Sequence, residues 1–327
     1  MEAMQVNAAS SVRVQMLDRR QKLQTALSTL GARLELTVLL SEVDAALDRL
    51  AVGSYGLCET CHEPIEAERL AADPLARVCL DHLTPSEQRA LERDLQLAAH
   101  VQRGLLPDPS RIAAPWDIAY AYRPARIVSG DYCDLVPVES DVYFMLGDVS
   151  GKGVAAATVM AQLHAMFRAL VPSRLPLADL VERASRLFCE STLPAHYATL
   201  VCGRAQPDGE VEICNAGHVP PLVARATGVT PLAAGGMPIG LFCSQRFDVE
   251  RVRLAPGEMI VLCSDGVSEA EGAAGEQYGI ERLGEVVRQR ASTASAALVD
   301  ACITCVDGWR AARTADDDVT LMVIRRR

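Results

Sequence analysis

The stretch Val142-Tyr143-Phe144-Met145-Leu146-Gly147-Asp148-Val149-Ser150-Gly151-Lys152-Gly153 decides how the second half of the chain is read. Residues 142–146 form an apolar run of strand length, stopped by a glycine and followed at once by an aspartate. A short apolar run bounded by turn residues reads as a buried strand. Glycines then let the backbone turn and approach other groups closely. From 153 to 171 the pattern becomes helical.

Outward from there, residues 198–202, 211–214, 259–263 and 319–324 read as further strands, with Pro207-Asp208-Gly209 as a turn between two of them. Trp116, Ile118, Tyr120 and Tyr122 alternate with Asp117, Ala119 and Ala121, the period of a half-buried strand. Helical patterns fall at 153–171, 177–191, 280–289 and 294–310. Strands in antiparallel-looking groups with helices between them predict an α+β sandwich rather than a doubly wound sheet.

Four aspartates sit in equivalent-looking places. Asp131 lies in Ser129-Gly130-Asp131-Tyr132, Asp148 and Asp265 follow apolar strands, and Asp317 precedes the last strand. In an antiparallel sheet the exit of one strand lies beside the entrance of its neighbour, so these carboxylates can converge on one sheet edge. Carboxylates held together repel, and their pKa values rise unless a cation neutralises them. Oxygen-only ligands favour magnesium or manganese over zinc. Each aspartate alone reads as a turn or cap residue, and only the four together point to a metal site; composition and spacing do not name a reaction.

The order of motifs does. Tyr122-Arg123-Pro124-Ala125-Arg126 ahead of Gly130-Asp131-Tyr132, then 147–153, Asn215-Ala216-Gly217-His218-Val219-Pro220-Pro221, Met237-Pro238-Ile239-Gly240, Ser264-Asp265-Gly266-Val267 and Asp317-Asp318-Val319-Thr320 follow one another. Residues 96–327 thereby resemble the protein phosphatase 2C-like (PPM) superfamily, in its SpoIIE-like, sigma-factor-regulating branch. The resemblance implies an αββα sandwich holding two Mn2+ or Mg2+ ions. It implies Asp148 as the bridging ligand, aided by the Val149 carbonyl, with Asp265 and Asp317 completing the sites and Asp131 in a weaker position. It also implies in-line attack of a metal-activated water on a phosphoserine, with no covalent enzyme intermediate. Ser129 departs from the family's usual glycine. Arg123 and Arg126 are candidates for orienting substrate phosphate, with a surface role as the alternative. His218 reads either as a general acid or as a brace for its turn; bracing is preferred. No His-Cys pair with a phosphate loop exists, which sets aside a cysteine-dependent phosphatase.

Ahead of this region, Cys58-Glu59-Thr60-Cys61 is followed after seventeen residues by Cys79-Leu80-Asp81-His82. The spacing fits one Zn2+ held by three thiolates and an imidazole. Gly53-Ser54-Tyr55-Gly56-Leu57-Cys58, Glu63-Pro64-Ile65 and Arg69-Leu70 resemble the DksA/TraR-type zinc finger, which in that family sits beside a helical hairpin. Cys58-Glu59-Thr60-Cys61-His62 also spells a c-type haem attachment motif, but that reading leaves Cys79 and His82 unexplained. His62 remains a substitute for His82. The other cysteines, such as Cys202, Cys214 and Cys263, read as small buried hydrophobes of a reducing compartment.

Residues 12–50 look helical, with Leu23, Leu27, Leu30 and Leu34, then Leu40, Val43, Leu47 and Leu50, at alternating steps, and Gly31 between the two sets. A pair of helices or one long bent helix fits. Residues 87–106 form another helix, capped near Thr84 or Ser86, with Leu91, Leu95, Ala98, Gln102 and Leu105 on one stripe. The expected division is a helical coiled coil or hairpin over 1–53, a zinc finger over 54–85, a linker helix over 86–108 and a phosphatase domain over 109–327.

The chain has 327 residues, half of them hydrophobic, and a formal net charge of -10. That charge argues against nonspecific binding to nucleic acid or anionic membrane. No signal peptide is read at the start, and no apolar stretch is read as approaching the roughly 20 residues of a membrane span, so a cytoplasmic protein is expected. By resemblance its substrate is a phosphorylated anti-sigma-factor antagonist of the STAS type. The front segment is expected to regulate the enzyme and to form a homodimer through the N-terminal or linker helices. The competing class is a binding regulator that contacts RNA polymerase, as DksA/TraR-like proteins do, and carries a vestigial phosphatase domain. The complete set of aspartates and the lack of a concentrated basic face weigh against it.

Overall fold

The computed structural model describes residues 2–30, 33–112, 114–193, 196–233, 235–310 and 315–327. It divides into two compact units, Met1–Arg93 and Asp94–Arg327.

In the first unit α1 (Glu2–Leu30) and α2 (Leu34–Val52) are separate helices. Met16 and Leu23 of α1 bury against Val43 and Ala46 of α2, and Arg20 pairs with Asp44 at 2.7 Å. The pair of helices is therefore the form taken. The expected break at Gly31 lies outside the described residues. The leucine stripe does not run through the junction, since Leu34 at the start of α2 is 80% exposed. Gly53, at φ 77, ends α2 in the left-handed conformation that lacks a Cβ penalty. The short α3 (Ala67–Ala72) lies within the finger, and α4 (Pro85–Leu105) follows it. Of the two candidate caps for α4, Thr84 serves: its Oγ1 accepts from the Glu87 N–H at 3.3 Å, and Glu87 Oε2 accepts from the Thr84 N–H at 2.8 Å. This reciprocal pair is a capping box.

The second unit is built on ten strands among the described residues. They are β1 (Trp116–Arg123), β2 (Asp131–Val138), β3 (Asp141–Val149), β4 (Ala198–Ala205), β5 (Glu210–Ala216), β6 (Leu222–Arg225), β7 (Gly228–Pro231), β8 (Glu250–Arg253), β9 (Met259–Cys263) and β10 (Val319–Arg326). They form two antiparallel sheets, ordered β1-β10-β9-β6-β7 and β2-β3-β4-β5-β8. The helices are α5 (Gly153–Leu170), α6 (Leu177–Ser191), α7 (Asp265–Ser268), α8 (Gly279–Gln289) and α9 (Ser295–Arg310).

The alternation along β3 shows why the layers form. Phe144 and Leu146 point between the sheets, where they meet Trp116, Ile260 and Met322. Tyr143 and Met145 point the other way, under Met160, Leu163 and Phe167 of α5 and Phe188 of α6. A strand buried on both faces reads as one apolar run because neither face meets water. On the outer side of the other sheet, Leu283, Leu298, Cys302 and Val306 of α8 and α9 cover Val261 and Leu321. The result is the expected αββα sandwich. Arg168 of α5 makes two hydrogen bonds, at 2.8 and 2.6 Å, to the fully buried Asp134 of β2. They balance a carboxylate that burial alone would not tolerate.

Three features depart from the sequence reading. Strands β6, β7 and β8 are only four residues long, too short to register as periodic runs. Residues Gly153–Ser173 are, by length and apolarity, enough for a membrane span. The apolar face of α5 instead packs on β2 and β3 of the sandwich, so the helix is long and apolar because it is a core helix. Finally, Cys189 and Cys243 are joined in a disulfide with Cα atoms 5.6 Å apart, although 54 residues separate them in sequence. The end of α6 and the loop after Gly240 are brought together by packing, which no local pattern announces. Cys202, Cys214 and Cys263 are buried and free, as expected.

Gly203 of β4 stands opposite Phe144 of β3, and the Phe144 ring fills the place a Cβ would take. Gly203→Ala is expected to destabilise the protein by about 1–3 kcal/mol through overpacking. Urea denaturation reads this, and an unchanged midpoint would contradict the packing described.

Candidate metal centre

Each sheet delivers two of the four aspartates. In one, Asp148 near the exit of β3 stands directly across from Asp131 at the entrance of β2. In the other, Asp265 follows β9 and opens α7, while Asp317 lies just ahead of β10, the antiparallel neighbour of β9. The carboxylates thus come from the same end of both sheets, not from the edge of one. Glycine makes the approach possible: a Cβ at Gly130 would stand 3.1 Å from the Val149 carbonyl oxygen and 3.2 Å from Asp148 Oδ1.

Proximity is written in the acidities. Burial, then the charges of Asp265, Asp317 and Asp318, push Asp148 up to about 7. Burial and the Asp317 charge also raise Asp265. Asp131 is fully buried, and burial followed by the Asp148 charge holds its carboxyl well above the usual range. Its Oδ2 accepts a 2.5 Å hydrogen bond from the Thr320 hydroxyl. Opposing charge comes from Lys152, whose Nζ reaches Asp317 Oδ2 at 2.9 Å and the Asp316 carbonyl at 3.0 Å. A cavity of about 180 Å3 beside the rim is lined by Asp265, Glu269, Arg310, Asp316 and Asp317.

The aspartate oxygens do not all stand within 4.8 Å of one another; among the described residues, a set of three or more ligand atoms that close occurs at the cysteine cluster. Asp317 is turned onto Lys152. Half-exposed, it has room to rotate. An oxygen-only donor set in which Asp131, Asp148 and Asp265 are pushed up by burial and neighbouring carboxylates suits a hard divalent cation.

The remaining candidates separate. Arg123 is exposed and pairs with Asp307 of α9 at 2.7 Å. Arg126 is exposed as well, and its charge is felt at Lys152. His218 is buried, with Nδ1 2.8 Å from the Thr199 hydroxyl and its backbone N–H donating to Asn215 Oδ1 at 2.9 Å. Thr199 is the cross-strand neighbour of Asp148. Burial drives His218 down to about 4, so the ring is neutral near pH 7, which suits a brace better than an acid. The Ser129 departure keeps the loop intact, because Ser129 Oγ accepts from the Asp131 N–H at 3.0 Å.

In the sequence Gln102 stands as a polar member of an apolar stripe, with no sign of what it would bind. It is buried, and it binds both backbone groups of Ser129, at 2.7 and 3.0 Å. Lys152 and Thr320 carried no separate signal beyond their motifs.

In the cysteine cluster the ligand atoms of Cys58, Cys61, Cys79 and His82 all lie within 4.8 Å of one another. Cys61 and Cys79 Sγ are 3.9 Å apart, and His82 Nδ1 stands 3.1 Å from Cys79 Sγ and 3.8 Å from Cys58 Sγ. Tetrahedral thiolates at ~2.3 Å from zinc stand roughly 3.8 Å apart. His62, in the left-handed conformation at φ 61, is outside the set.

Comparison with known proteins follows the same division. A family model described as "Stage II sporulation protein E (SpoIIE)" matches residues 139–327, more than half the chain. One described as "Prokaryotic dksA/traR C4-type zinc finger" matches residues 53–81, so His82 lies one residue beyond it. Protein IcfG of Synechocystis sp. (strain ATCC 27184 / PCC 6803 / Kazusa) is 26% identical over 71% of this chain, which spans 41% of IcfG. Phosphoserine phosphatase RsbU of Bacillus subtilis (strain 168) is 26% identical, covering 73% of this chain and 72% of RsbU. The SiaA-PP2C domain of Pseudomonas aeruginosa superposes with a TM-score of 0.65 at 21% identity, over 74% of this chain and 98% of that domain.

In buffer free of divalent cations, Asp148→Asn is expected to melt higher than the unsubstituted protein at pH 8, where the Asp148 carboxylate is charged among its neighbours. Because the folded pKa is raised, the penalty fades as pH falls through about 7. The advantage of the variant should therefore narrow toward pH 5. Identical melting curves at pH 8 would show that these carboxylates do not repel.

Proposed function

The chain belongs to the SpoIIE family, and on that premise we propose that it is a metal-dependent phosphatase acting on phosphoserine or phosphothreonine in a protein partner. One observation carries the reading: two strand-end carboxylate pairs, one from each sheet, meet at a common rim. Asp148, Asp265, Asp317 and the Val149 carbonyl would hold two Mn2+ or Mg2+ ions. When bound, such ions supply Lewis-acid activation of water at neutral pH for in-line attack on phosphorus. Asp148, central to the set, would serve both sites. Asp317 would leave Lys152, freeing an ammonium group at the rim to face the substrate phosphate alongside Arg126. Asp131, held by Thr320, would support the site from beneath through a weaker or water-bridged contact. Arg123, engaged with Asp307, is the weaker candidate for substrate binding.

In the first unit, Cys58, Cys61, Cys79 and His82 would hold one structural Zn2+, with an imidazole in place of the fourth thiolate of a C4-type finger. The substrate we favour is a phosphorylated STAS-type anti-sigma-factor antagonist in a partner-switching pathway, as the resemblance to the sigma-factor-regulating branch implies; the name of the relative, phosphoserine phosphatase RsbU, supports phosphoserine as the group attacked. A cytoplasmic homodimer, joined through the N-terminal or linker helices, and the four-part division at residues 53, 85 and 108 complete the proposal.

Manganese-dependent release of phosphate from a phosphoserine protein tests the activity, with Asp148→Ala expected to fall to the no-enzyme background. Equal, negligible rates for both proteins would favour a binding regulator instead. For the finger, Cys58→Ser is expected to lower bound zinc from about one ion per chain toward zero and to destabilise the first unit, because metal binding contributes directly to folding of so small a site. Full zinc retention, read by elemental analysis, would remove Cys58 from the ligand set.

A further inference from the structure

We propose that Asp318 is a positioning residue that clamps the loop between β1 and β2 onto the metal rim. The proposal deepens the phosphatase reading and rests on it. Asp318 follows a proposed ligand in sequence, and both of its carboxylate oxygens are engaged by the backbone of the loop between β1 and β2. Oδ1 accepts from the Ala125 N–H at 2.8 Å and Oδ2 from the Gly130 N–H at 2.9 Å. Both donors belong to residues 124–130, and Arg126 lies between them.

The two bonds act at opposite ends of that loop. The one to Ala125 fixes the backbone immediately before Arg126, the exposed cation proposed for substrate phosphate. The one to Gly130 reaches the metal site itself, because the Gly130 carbonyl accepts from the Val149 N–H at 3.3 Å and Gly130 packs against Asp148 Oδ1. Asp318 is anchored in turn by its own main chain. Its carbonyl accepts from the Ser264 hydroxyl at 3.3 Å, next to Asp265, and lies so close to Gly266 that a Cβ there would overlap it. One residue therefore ties together the segments that carry Asp131, Asp148, Asp265, Asp317 and Arg126, across two sheets.

The chemistry requires a carboxylate. Two N–H donors converge on one side chain, and both oxygens of an aspartate accept, with charge strengthening each bond. An asparagine offers one acceptor, and its amide would face an N–H. Small displacements at such a point are costly, since misplacement by about 1 Å can reduce rates by roughly a hundredfold.

The test uses full-length protein with Mn2+. In the unsubstituted chain, the Ala125 and Gly130 amides are expected to exchange at least about tenfold more slowly than the exposed amides of the same loop; fast exchange at both would overturn the proposal even if no variant folds. Asp318→Asn is expected to abolish that protection at one or both of the two amides and to lower kcat on a phosphoserine protein by roughly 10- to 100-fold. The half-saturating Mn2+ concentration should change by less than about threefold, because the ligands themselves are retained. Unchanged protection or unchanged kcat would sink the proposal. So would parallel losses in kcat, Mn2+ affinity and melting temperature, which mark a general structural role. If the unsubstituted protein has no phosphatase activity, the functional reading fails, while the exchange measurements still judge the clamp.

Discussion

Like charges crowded at the rim of the sandwich are the constraint around which the second unit is arranged. Asp148, Asp265, Asp317 and the buried Asp131 would separate if their backbones were free, since like charges repel and burial with neighbouring negative charge opposes ionisation of Asp148, Asp265 and Asp131. They are held by sheet register: the direct pairing of Asp131 with Asp148, and the antiparallel neighbours β9 and β10 that bring Asp265 and Asp317 to one end. The cores beneath make those registers stiff. A one-residue slip in β3 would exchange Phe144 and Leu146 for Tyr143 and Met145 across its two buried faces. Packing thus stabilises an arrangement that electrostatics alone would disperse, and a cation would turn the same repulsion into affinity.

Small polar side chains finish the work around the rim. Thr320 and Ser129 satisfy Asp131, His218 braces Thr199 beside Asp148, and Gln102 of α4 grips both backbone groups of Ser129. Each is buried or nearly so, where an unpaired polar group is costly. Removing one partner would therefore leave another unsatisfied. The site behaves as a network, not as four independent ligands.

The finger obeys a different logic. Its core is limited to a few residues around Cys58, Ile65 and Cys79, too little apolar burial to order thirty residues unaided. Convergence of three sulfurs and one imidazole nitrogen supplies what the core lacks. The second unit would need its packing to assemble a metal site; the finger would need its metal site to assemble any packing.

Much of this was written in local pattern. The periods of β3, β9, β10, α5 and α6, the glycine-framed aspartates and the paired Cys-x-x-Cys and Cys-x-x-His units depend on residues a few positions apart, and their boundaries hold within a few residues in the fold. The tertiary structure alone decided that the aspartates come from both sheets and that Arg123 turns to Asp307. It also decided that Cys189 meets Cys243 and that Asp318 reaches Ala125 and Gly130. These partners lie up to 193 residues apart, and packing of the layers determines which of many chemically equivalent groups stand face to face. Sequence specified which chemistry was present at each strand end; the fold specified what each group would touch.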